Sequence, residues 1–136
     1  MTVEKAHERT ARQKVGDAAE QLVVDRLVGR GWRILARNLH AGRSELDIVA
    51  VDPGPPSRLV VVEVRYRRSR DYGLPEETFD RRKRSQLRLG IGRLLDLGRL
   101  PDGTSLPPLP IAVDLAIVEP AGGGLAAKLY RDALVT

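Results

Sequence analysis

The sequence predicts a single α/β domain in which a mixed sheet is flanked by helices, with the elements in the order α-β-β-β-α-β-β. Three observations carry that prediction. Residues 44–51 and 59–65 are two runs rich in β-branched side chains, and the turn formers between them, Asp52-Pro53-Gly54-Pro55-Pro56-Ser57, make them the arms of a hairpin. Stretches starting near Ala11 and Asp80 repeat their apolar residues at helical spacing. Residues 111–118 form a nearly continuous apolar run, the mark of a strand covered on both faces. A chain of 136 residues suits one compact domain, read as residues 11–136 behind a polar, flexible N-terminus at 1–10.

In chain order, Val15, Ala18, Ala19, Leu22 and Val23 share one stripe of the first helix, and Gly31 stands where a C-terminal glycine cap belongs. Glu20 lies at the flank of this stripe, where it either reaches the polar end of the hairpin or faces solvent. Trp32 to Leu39 alternates apolar with polar residues and reads as a strand entering the same sheet. His40 follows in a turn with no second histidine or cysteine near it, so it reads as a solvated residue rather than a ligand.

Alternation in the hairpin puts Glu45, Asp47, Val49 and Val51 on one face and Leu46, Ile48 and Ala50 on the other. On the second arm Leu59, Val61, Glu63 and Arg65 share a face. A slip of one residue would set Asp47 against apolar side chains, so the register pairs Asp47 with Glu63, Val49 with Val61, Val51 with Leu59 and Glu45 with Arg65. The loop left over is Pro53 to Ser57. Two carboxylates facing each other are unfavourable unless a cation lies between them, and a divalent metal held by Asp47 and Glu63 meets that need.

Beyond Arg65 runs a basic loop containing Arg67, Arg68 and Arg70 with Tyr66 and Tyr72, suited to holding a phosphodiester and stacking on a base. The second helix, capped by Asp80, carries Leu87, Ile91, Leu94 and Leu95 on one face and Arg82, Arg88 and Arg93 away from it. Gly90 and Gly92 weaken this helix, which implies close packing on the sheet or a bend. Arg81, Arg82, Lys83 and Arg84 crowd its N-terminus against the helix dipole, an arrangement that a bound anion relieves. A proline-rich loop at 100–110 precedes the strand at 111–118, whose Asp114 is expected to find an arginine or a backbone donor. A glycine turn at 121–124 then leads into a last strand, Leu125 to Tyr130.

With 23 Lys and Arg against 18 Asp and Glu the formal charge is +5, and arginine makes up 19 of the 23 cations. Guanidinium groups favour forked contact with phosphate, so the expected partner is nucleic acid, DNA in particular, although the arginine bias also has a reading as plain genome composition. The absence of cysteine, of any membrane-length apolar run and of an apolar centre in the N-terminal segment points to a cytoplasmic protein with no membrane partner. A homodimer stays open.

The Glu-Leu-Asp of residues 45–47, about a dozen residues of turn and apolar strand, then Val-Glu-Val-Arg at 62–65 resembles the Asp and Glu-x-Lys signature of restriction-endonuclease-like nucleases. With Gly16, Ala19-Glu20, Gly31-Trp32, Asn38 and Lys83, the pattern over about residues 12–118 is similar to the YraN-like family of uncharacterised bacterial proteins. The resemblance implies a restriction-endonuclease-like fold, related to that of Holliday junction resolvases, and a Mg²⁺- or Mn²⁺-dependent phosphodiesterase site built on Asp47 and Glu63. It leaves Glu45 and Glu20 to complete the shell. The position of the signature lysine is Arg65, which stabilises charge but does not readily take a proton. Lys83 is a candidate substitute. Three readings follow: an endonuclease, with branched or single-stranded DNA favoured by the resemblance; a nucleic-acid-binding module that lost catalysis with its lysine; and a structural protein whose Glu45, Asp47, Glu63 and Arg65 form an ion network.

Overall fold

The computed structural model describes residues 10–68 and 79–134. Helix α1 (Ala11–Gly29) starts from a reciprocal cap in which the Thr10 hydroxyl accepts the Gln13 N–H and the Gln13 side chain accepts the Thr10 N–H. It ends at Arg30, and Gly31 follows at φ +88°, the left-handed conformation that glycine adopts without steric cost. Strands β1 (Arg33–Ala41), β2 (Ser44–Asp52) and β3 (Arg58–Tyr66) form an antiparallel meander. Helix α2 (Arg81–Leu97) crosses to β4 (Ile111–Ala121), which pairs parallel to β3, and β5 (Gly124–Tyr130) returns antiparallel. The result is one mixed sheet of five strands, in sequence order from edge to edge, with the expected α-β-β-β-α-β-β succession.

Each helix covers one face. Ala19, Val23, Val24 and Leu27 of α1 pack with Trp32, Ile48, Ala50, Val60, Val62, Ala116 and Val118. Leu87, Ile91 and Leu94 of α2 pack with Leu46, Val49, Leu59, Val61, Leu115 and Ile117. Both helices are rotated slightly from the stripes expected: Ala18 and Leu95 are exposed, while Val24 and Leu27 are buried. Gly90 explains its own presence, because a Cβ there would lie 2.9 Å from the Ser44 Cβ and 3.3 Å from Leu46 Cδ2. Gly92 has open space and no such reason.

The hairpin register is the expected one, with Val49 opposite Val61, Val51 opposite Leu59 and the loop at residues 53–57. Two details differ. The β2–β3 ladder stops at Ile48–Val62, so neither Asp47 and Glu63 nor Glu45 and Arg65 are ladder partners, and Glu45 pairs with His40 of β1 instead. Leu46, expected to share a face with Ile48 and Ala50, packs on the α2 side with Val49. Alternation therefore breaks at Asp47, where β2 parts from β3.

On β4, one rung from Glu63, fully buried Asp114 meets the Arg131 Nε at 2.7 Å and accepts the Asp132 N–H, the arginine-plus-donor environment expected of it. Arg131 also reaches Asp52 at 2.6 Å and lies over the Trp32 ring. No helix among the described residues is long and apolar enough to cross a membrane.

Candidate functional site

Where β2 and β3 separate, the Asp47 carboxylate fills the gap left by the ladder: its Oδ2 accepts the Val64 N–H at 2.8 Å. This bond replaces a backbone pair and turns the Asp47 side chain beside Glu63. Glu63 is buried at 3% exposure, and its Oε2 makes no hydrogen bond. Its nearest cation among the described residues is Lys83, which comes from the first turn of α2 to place Nζ 3.3 Å from that oxygen, close enough for an ion pair but not aligned as a hydrogen bond. Asp80 sets this approach by capping α2, its Oδ1 accepting the Lys83 N–H.

Around these groups lies a polar cleft of about 420 Å³, lined by Arg43, Ser44, Glu45, Asp47, Glu63, Arg65, Lys83 and Gln86. Arg65 is half-buried, with its Nε enclosed and lacking an acceptor, and Glu45 is exposed at the rim. Among the described residues neither makes an ion pair, so the structural network of Glu45, Asp47, Glu63 and Arg65 does not form as such. Burial pushes the Glu63 carboxyl up to about 8; a side-chain hydrogen bond of its protonated form to Asp47 and the Asp47 charge add to the shift, and Lys83 and Arg65 oppose it. A buried oxygen without a donor, next to a second carboxylate, is what a hard divalent cation relieves, and two carboxylates with water complete a Mg²⁺ or Mn²⁺ shell. Among the described residues no third aspartate, glutamate or histidine joins the pair in such a cluster.

Glu20 is buried on the α1 side and is not part of the cleft lining. It accepts from Arg37 Nε at 3.0 Å and from Asn38 Nδ2 at 3.2 Å. Burial raises its pKa against the pull of Arg37, and the Asp47 charge reaches it through space. Of the expected phosphate contacts, Arg68, Arg81, Arg82 and Arg84 are exposed, while Arg67 is largely enclosed against Glu119 at 3.1 Å. Arg70 and Tyr72 lie outside the described residues. His40 is exposed, as expected of a solvated residue. Sequence reasoning passed over Arg43, Ser44 and Gln86, yet Gln86 stands three residues after Lys83 and so shares its helix face.

These observations define a class: a small mixed-sheet α/β protein whose sheet opens at one end onto a carboxylate pair attended by a lysine. Within it, the chain belongs to the uncharacterised protein family UPF0102, whose profile matches residues 19–117, a span that contains Glu20, Asp47, Glu63, Arg65 and Lys83. This is the YraN-like family that the motifs resemble. The chain is 39% identical over 123 residues to a UPF0102 protein of Symbiobacterium thermophilum, covering 89% of this chain and 96% of the relative. A UPF0102 protein of Clavibacter michiganensis is 31% identical over 125 residues, 91% of this chain and 98% of the relative. One from Trichlorobacter lovleyi is 41% identical over 93 residues, 68% and 72% of the two chains.

Proposed function

We propose that this protein hydrolyses phosphodiester bonds in DNA with Mg²⁺ or Mn²⁺, using the cleft at the open end of the sheet. The observation that carries the reading is the buried Glu63 oxygen, without a hydrogen bond, set between Asp47 and Lys83. Asp47 and Glu63 would hold the cation, which when bound polarises water and the attacked phosphate. Lys83 supplies the amine that the signature lacks at residue 65, delivered from a helix instead of the strand. Its ammonium orients the scissile phosphate as a fixed positive charge. Arg65 presents a permanent charge to the pentavalent transition state, and water adds to phosphorus as the leaving oxygen departs and gains a proton. Exposed Arg68, Arg81, Arg82 and Arg84 flank the cleft's side of the molecule and favour a polyanion there.

The binding-module reading is favoured by one fact, the lack of a third acidic or imidazole group beside Asp47 and Glu63 among the described residues. Calorimetric titration with Mn²⁺, followed by cleavage assays on duplex, single-stranded and branched DNA, separates the two. The nuclease reading expects Mn²⁺ binding that D47N and E63Q abolish and cleavage that K83A lowers. Mn²⁺ affinity unchanged in D47N and E63Q would refute the site, and metal binding without cleavage of any substrate would leave the module.

A further inference from the structure

Asn38 is an anomaly in the middle of β1. It is not glycine, yet its φ is +50°, in the left-handed region, within a strand. The β1–β2 ladder passes from Arg37–Ile48 to Leu39–Leu46 and leaves out Asn38 and, directly across from it, Asp47. β1, which already carries a bulge between Ile34 and Ala36, and β2 both lose their alternation at this step. On β1 the consecutive residues Arg37 and Asn38 both turn to the α1 side and donate to the same Glu20 oxygen, while Leu39 packs on the α2 side. On β2 Leu46 packs on the α2 side and Ile48 on the α1 side, with Asp47 between them. The register itself survives, since the pairs on either side of the break match without an inserted residue.

We propose that Asn38 is a positioning residue: its left-handed backbone creates the matched break that frees Asp47 from the ladder and swings its carboxylate into the gap between the strands, onto the Val64 N–H. In a regular strand at this register Asp47 would stand over one face of the sheet, away from the gap between β2 and β3. Asparagine suits the position twice over. It tolerates the left-handed region better than other side chains, and its amide gives Glu20 a second donor, which holds the turned strand against α1. The consequence for catalysis rests on the metal-centre reading above, but the geometry of Asp47 can be read without it.

The test follows hydrogen exchange of the Val64 amide, whose acceptor is Asp47 Oδ2, together with Mn²⁺ affinity, in wild type, N38G and N38A. Glycine keeps the left-handed backbone and loses the amide; alanine loses both. N38G is expected to keep Val64 protection within about threefold of wild type, and N38A to lose about tenfold, the scale of a left-handed penalty on a residue with a Cβ. Mn²⁺ affinity should follow the same order. Equal protection in all three proteins overturns the proposal, and so does an equal loss in N38G and N38A, which would make the amide and not the backbone the agent. If N38A does not fold, N38G and E20Q carry the test, and a tenfold loss of Val64 protection in either overturns it. Should wild type bind no Mn²⁺, the metal-centre reading fails while the Val64 measurement still decides the role of Asn38.

Discussion

Replacing Glu63 by glutamine tests whether the cleft is held in readiness for a cation. The ordinary pKa of this carboxyl is 4.5, and burial with the Asp47 charge beside it raises it to about 8 in the folded protein. The folded state therefore keeps a proton that the unfolded chain releases. Stability from this source is fully present below pH 4.5 and is lost as pH rises through about 8. At about 1.4 kcal/mol per pH unit, the apo protein loses on the order of 3 kcal/mol between pH 4.5 and pH 7 through Glu63 alone. Solvent screening takes little from that figure, because Glu63 is 3% exposed. Glutamine is neutral throughout and keeps that stability, so without metal E63Q and wild type should melt together near pH 4.5. At pH 7 E63Q should be higher by roughly 9 °C, taking about 3 °C per kcal/mol for a domain of this size. On the proposed metal-centre reading Mn²⁺ should reverse the order, by binding the folded wild type and displacing close to one proton at pH 7. Melting curves from pH 4.5 to 8.5, with chelator and with Mn²⁺, supply the measurement. Parallel pH profiles for the two proteins would refute the burial argument, and a Mn²⁺ shift of the same size in both would refute the metal.

Other expectations rest on individual side chains. R65K should keep Mn²⁺-dependent cleavage, whereas R65A should lower it by roughly 10²–10³ in rate with DNA binding nearly intact, as kinetics and filter binding can compare. Because Arg65 does not touch Glu45, R65A should not destabilise the apo protein through that pair, and its melting point should stay near wild type. G90A should cost about 1–3 kcal/mol in denaturant unfolding as the new Cβ meets Ser44 and Leu46, while G92A, with open space, should not destabilise. Neutralising Arg81, Arg82 and Arg84 should flatten the salt dependence of DNA binding by about 0.9 in log–log slope for each phosphate that the protein no longer neutralises; an unaltered slope removes this surface from the interface.

Much of this arrangement is legible in the chain because the constraints are local or pairwise. The turn formers at 52–57 and the cost of facing Asp47 with apolar residues determine the hairpin register, and Asp80 announces the start of α2. Asp114 had to find a partner, and its strand context says so, though nothing local names Arg131. What escaped is tertiary. A left-handed asparagine inside a strand leaves no propensity signal, so the regular alternation places Leu46 on the wrong face and extends the β2–β3 ladder three pairs too far. The distance from Lys83 to Glu63 depends on how a helix some twenty residues later docks, which Gly90 hints at by its closeness to Ser44 but does not settle.

The parallel pairing of β3 with β4 also sets when the cleft can exist during folding. Past Val62, β3 has no ladder to β2, and Glu63, Val64 and Arg65 are held in register by Leu115, Ala116 and Ile117 of β4. Asp47 belongs to the β1–β2 meander, whose contacts close over short loops and so form early. Val62 and Asp114, the rung just before Glu63, are 52 residues apart in sequence. The two carboxylates thus depend on different partner strands, Asp47 on the short-range β1–β2 pair and Glu63 on the long-range β3–β4 pair. A chain without β4 would thus carry both carboxylates but lack the strand that holds Glu63 in register.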